Sequence, residues 1–173
     1  MEQKPDQNTK RVNPNRKWYI MLLLACLAIL SRYILFKHQM RYYKHHLLTD
    51  FKKYSLKEGL ANANFHPFYN IRLFSSNLVS EQFYVVNIWG NILGFVPIGF
   101  LIPLALPYFR NVFSVTFLVF LLSLGYETTQ LIFGLGIFDV DDLILNTTGG
   151  FAGFLLYAIV RLIFKPREKL TQG

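Results

Sequence analysis

Carboxylates and carboxamides recur at helical spacing inside otherwise apolar sequence, and any chemistry would reside there. Asn87 and Asn91 stand four residues apart and Glu127 and Gln130 three apart, while Asp139, Asp142 and Asn146 continue at three- and four-residue steps toward Gly149, Gly150 and Gly153. Residues so spaced share a helix face, so each segment carries one polar stripe. A carboxylate at the centre of a membrane helix costs roughly 2.5–3.5 kcal/mol on insertion scales and normally points into the bundle or a wet cavity. Glu127, well inside the end of its apolar run, is the sharpest case. Paired carboxylates with separated proton affinities suit acid/base work, with Glu127 and Asp142 as candidates. Glu127 with the three aspartates Asp139, Asp141 and Asp142 also presents the oxygen atoms a divalent ion takes. No calcium-loop pattern or zinc-type histidine spacing occurs, so no metal or cofactor is assigned. His66, a lone histidine beside Pro67, is a further binding candidate.

Each residue also has a structural role open to it. Asp139 and Asp142 fit an N-cap followed by an acidic first-turn residue. Asn87 and Asn91 can bond across helices as packing glue, and Gly90 with Gly94 and Gly149 with Gly153 are small-residue pairs that permit close helix approach.

The elements that must position these residues are four apolar runs. Trp18 to Phe36 reads as an uncleaved first transmembrane helix, about the length a bilayer needs. Val85 to Leu106 carries Pro97 and Pro103, tolerable where neighbours satisfy the freed carbonyls. Val112 to Phe133 and Leu143 to Phe164 follow. The connections Pro107 to Asn111 and Gly134 to Phe138 are too short for anything but an up-down-up arrangement. The expected fold is therefore an all-α integral membrane bundle of about four transmembrane helices. Its expected organisation is a disordered basic tail over 1–17, a first helix over 18–36, an extracytoplasmic, interfacial loop over 37–84, a three-helix core over 85–164 and a basic tail over 165–173. In the loop, Lys and Arg alternate with Tyr and Phe, a pattern suited to head groups. The up-down-up geometry places all three polar stripes, with the Asn62 to Phe68 segment, at one membrane face.

Composition supports this reading. Hydrophobic residues make up 53% of the 173 and charged residues 16%, against about 25% charged in globular domains. The net charge of +8 arises from clusters flanking the apolar runs, which favours anionic lipid over nucleic acid as the partner. Cys26 is the single cysteine, so neither an internal disulfide nor a thiolate metal site is expected. Basic residues around the first helix start, Arg110 and the C-terminal end favour the cytoplasm. Both termini are thus expected inside and the polar face outside, although the long loop holds basic residues of its own.

The ordered set Asn64-Phe65-His66-Pro67-Phe68, Asn87-Ile-Trp-Gly-Asn91-Ile-Leu-Gly-Phe-Val-Pro97-Ile-Gly99, Glu127-Thr-Thr-Gln130 and Phe138-Asp-Val-Asp-Asp142 through Asn146-Thr-Thr-Gly149-Gly150 resembles the VanZ family over about residues 60–160. Two departures stand out. Leu135, Gly136 and Ile137 occupy the place where many members have a basic residue, leaving Arg72 or Lys57 as alternative counter-charges for Asp139 or Asp142. His66 replaces an aliphatic residue.

The resemblance implies a bacterial cytoplasmic-membrane protein associated with reduced susceptibility to teicoplanin and related lipid-bearing antibiotics. Two mechanisms are compatible with the residues. The polar face, comprising His66, Asn87, Asn91, Glu127, Gln130, Asp139, Asp142 and Asn146, can bind or shield an envelope lipid, a lipid-linked cell-wall precursor or the antibiotic. Alternatively, an intramembrane enzyme would use the carboxylates on a phospholipid or lipid-linked phosphate, though no nucleophile motif is present. Transport is less favoured, since four spans are few for alternating access.

Overall fold

The computed structural model describes residues 14–36, 48, 54–69, 72 and 81–164, with the side chains of 81–86 excepted. Most of the basic N-terminal tail, most of the long first loop and the C-terminal tail lie outside the described residues. Among the described residues the helices are α1 Arg16–Leu35, α2 Leu56–Asn62, α3 Glu81–Ala105, α4 Val112–Phe133 and α5 Val140–Ile163. Four of them are long and apolar enough to cross a membrane, α3 over Asn87–Ala105. Among the described residues no strand forms, and one isolated parallel bridge joins Asn64 to Asp139.

Local sequence explains the helix ends. Asn111 caps α4, its side chain accepting from the Ser114 N–H at 2.8 Å, and Gly134 ends it in the left-handed conformation at φ 60°, where a Cβ would be penalised. Asp139 caps α5 through the Asp141 N–H at 2.8 Å. That helix begins at Val140, three residues before the apolar run, so Asp141 and Asp142 form its first turn. α3 likewise starts at Glu81, ahead of Val85, and continues through both Pro97 and Pro103.

Side-chain pairs give the helix directions. Asn91 meets Asp142, Ile92 lies against Gly149 and Val96 against Gly153. Both series ascend together, so α3 and α5 run parallel. Arg16 donates to the Ala105 carbonyl at 3.2 Å while Leu30 packs near Gly94, so α1 is antiparallel to α3. Ser31 pairs with Tyr126 and Ile34 with Gln130, aligning α1 with α4. One end of the bundle, the basic end, therefore holds Arg16, Arg110 and Arg161. The other, the site end, holds the Asn64 loop and the turn between α4 and α5.

The α3–α5 pair packs most extensively, and its glycines are the reason. A Cβ on Gly149 or Gly153 would fall onto the carbonyl oxygen of Ile92 or Val96, and one on Gly99 onto that of Gly150. Lipid tails are as apolar as Leu, so such close van der Waals contact, more than the hydrophobic effect, holds membrane helices together. Gly90 behaves otherwise. Nothing lies within 4 Å of a Cβ built there, and Gly94 faces only the tip of Leu30, so Gly90 and Gly94 do not form the close helix contact their spacing suggests. The core beneath the site comprises Phe95, Ile98, Val115 and Val119, each at most 1% exposed.

Candidate functional site: a carboxylate and amide cluster at one end of the bundle

The cluster is organised around the backbone at the start of α5. The first N–H groups of a helix have no intrahelical acceptor, and at a membrane boundary they need protein partners. Glu127, 1% exposed, meets that need: its Oε2 accepts from the Asp139 N–H at 2.9 Å. The tight Gly134 to Phe138 reversal makes this possible, folding the chain back so that Asp139 lies beside the last turns of α4.

The Asn64 segment docks onto the same point. Its N–H donates to the Phe138 carbonyl at 2.8 Å, and its carbonyl accepts from the Val140 N–H at 3.0 Å. The Asn64 amide donates to Asp139 Oδ1 at 2.9 Å, the oxygen that also caps α5. Asn64 Oδ1 in turn accepts from the His66 N–H at 3.1 Å. Asp141, 2% exposed, accepts from the Phe68 N–H. Three separate stretches of chain are thereby tied together.

The remaining candidates divide by burial. Gln130, 3% exposed, donates to the Ile34 carbonyl at 2.9 Å and fastens the end of α1 to α4. Asn146 lies a turn deeper than Asp142 and donates to the Ser123 hydroxyl at 2.9 Å. Its Oδ1 is buried without a hydrogen-bond partner. Asn91 and Asp142 are half-buried and joined at 2.6 Å from Nδ2 to Oδ1. Asn87 is half-buried one turn nearer the start of α3, with no hydrogen bond to the acidic set among the described residues. The His66 side chain is exposed, and only its backbone joins the network. Thus Glu127, Gln130, Asp141 and Asn146 hold elements together, whereas Asn87, Asn91, Asp139 and Asp142 remain within partial reach of an incoming group.

Chemically, the half-buried rim offers carboxylate acceptors alongside amide donors. Among the described residues, no three His, Cys, Asp or Glu side chains are grouped to hold one ion. Arg72, a proposed counter-charge, donates to the Pro67 carbonyl at 3.2 Å. Sequence reasoning gave no individual role to three participants: Asn64, Ser123 and Asp141. Asp141 had a signal, since it precedes Leu145 and Gly149 by four and eight residues and so falls on the packed face of α5. Ser123, one turn before Glu127, had the same kind of signal. Asn64 had none beyond its motif, because its role depends on a chain segment arriving from far away.

A multi-pass helical membrane protein with a buried carboxylate tying its helix ends together is the class that fold and site define. The family model VanZ/LLP1 matches residues 19–161, and the chain belongs to that family. Protein VanZ of Enterococcus faecium is 38% identical over 69 residues. That match covers 40% of this chain and 42% of the relative, so less than half of either protein is compared. No solved structure matches.

Proposed function

We propose that this VanZ-like protein lowers susceptibility to teicoplanin and related lipoglycopeptide or lipopeptide antibiotics, through a polar site that engages an envelope lipid, a lipid-linked cell-wall precursor or the antibiotic itself. In this reading it resides in the bacterial cytoplasmic membrane with both termini inside, so that the site end faces outward, where such antibiotics act. The basic end supports that orientation, since short flanks rich in Lys and Arg favour the cytoplasm.

The observation that carries the proposal is the Asn91–Asp142 pair, a half-buried carboxylate and amide presented at the membrane boundary by helices locked together beneath it. A functional group held on rigid elements loses little entropy when it binds, and polar side chains inside a span are functional candidates by default. The binding reading requires no nucleophile.

Susceptibility to teicoplanin and a lipopeptide is the test, in cells expressing wild type or Asp142→Asn with equal membrane levels. The expected result is protection by wild type and its loss in the variant. Equal protection by both would remove Asp142 from the site and leave it a first-turn residue stabilising α5.

A further inference from the structure

Phe68 is the one non-glycine among the described residues with positive φ, at 62°. For a residue with a bulky side chain this conformation is disfavoured, and it persists only where surrounding structure enforces it. Here the enforcement is visible. The Phe68 N–H is held by the buried Asp141 carboxylate, while Asn64, four residues earlier, is pinned by the bridge to Asp139. The ring is left half uncovered: Phe68 is 49% exposed, and its neighbours Phe65 and Tyr69 are 52% and 48% exposed.

An outward-turned aromatic cluster on a tethered loop is expensive in water. At a bilayer boundary it is favourable, because aromatic rings sit well at head-group depth. The position fits. The loop lies level with the first residue of α5, where that span begins, and Phe65 packs against Phe138 at 5.4 Å. Beside Phe138, Ile137 is 60% exposed, which joins the loop to the lipid-facing surface of the helices. The Arg72 guanidinium, held at the Pro67 carbonyl, adds a cation beside the aromatic cluster.

We propose that the segment from Phe65 to Tyr69 is a fixed membrane-interface wedge, whose occupant is the head-group and upper acyl layer of phospholipid at the site end of the bundle. Asp141 holds the wedge in its strained backbone form, so the polar site opens beside lipid and not into bulk water. The wedge stands independently of any antibiotic-related role.

The test uses the full chain with Phe68→Trp in a Trp18→Phe, Trp89→Phe background, reconstituted in vesicles of phosphatidylglycerol and phosphatidylcholine. Fluorescence quenching by lipids brominated at successive acyl positions is compared with quenching by aqueous iodide. The expected result is severalfold stronger quenching by bromines near the carbonyl end than by those near the chain end, with little effect of iodide. Quenching by iodide alone would place the loop in water, and quenching by neither would place the ring inside protein; either overturns the proposal. Phe65→Trp provides a second reporter should the first variant fail to fold. Phe68→Gly supplies an independent readout, because glycine accepts positive φ without strain. Its thermal midpoint in detergent should equal or exceed wild type, and a clear fall would show the ring to be packing in the protein, against the proposal.

Discussion

Glu127 illustrates how an ionisable residue within a membrane helix can be required by the backbone. Its Oε2 accepts from the Asp139 N–H, a donor that the start of α5 cannot satisfy internally. Glu127→Ala removes that acceptor and strands a buried N–H, which costs about 1–3 kcal/mol. The expected outcome is a lowered thermal midpoint in detergent for Glu127→Ala and a much smaller change for Glu127→Gln, whose carbonyl can still accept. Equal losses in the two variants would show that the charge, and not the acceptor, is what the site requires. Asp142 differs in kind, being half-buried and paired to a side chain, which is why it is the better probe of binding.

At the scale of elements, the glycines of α5 decide how closely α3 approaches. Gly149 and Gly153 leave no room for a Cβ against the Ile92 and Val96 carbonyls, whereas Gly90 has open space around it. Gly149→Ala must therefore push the two helices apart, and overpacking of this kind costs about 1–3 kcal/mol or more. Gly90→Ala meets nothing and gains helix propensity, up to about 1 kcal/mol. Unfolding in mixed micelles should show the two substitutions moving stability in opposite directions. A loss at Gly90 would mean that its open face is occupied in the membrane by another helix. The spacing of the glycine pairs was legible in the sequence, but which pair faces a neighbour was not. Spacing defines a stripe, while the helix's rotation within the bundle decides what the stripe meets.

At the scale of the whole molecule, the alternation of α1, α3, α4 and α5 places Arg16, Arg110 and Arg161 at one end and the carboxylate cluster at the other. Single cysteines at positions 14 and 164, introduced as Pro14→Cys and Phe164→Cys in a Cys26→Ser background, should react with a membrane-impermeant thiol reagent from the same side. Labelling from opposite sides would require an odd number of crossings and would contradict the bundle.

Length, apolar runs and short connections were sufficient by themselves to establish a helical membrane protein of four spans. Two connections too short for any alternative also dictated that the polar positions of α3, α4 and α5 share one end. These are consequences of helix rise and chain connectivity, which need no knowledge of packing. What only the tertiary structure decided is the division of labour within that set. Gln130 is committed to the Ile34 carbonyl and Asn146 to Ser123, while Asp141 holds a strained Phe68 that lies in a distant segment. Periodicity assigns a residue to a helix face, but a hydrogen-bond partner depends on how the faces rotate and where a loop of many residues returns. Those choices arise from glycine contacts and buried donors acting together across the whole bundle.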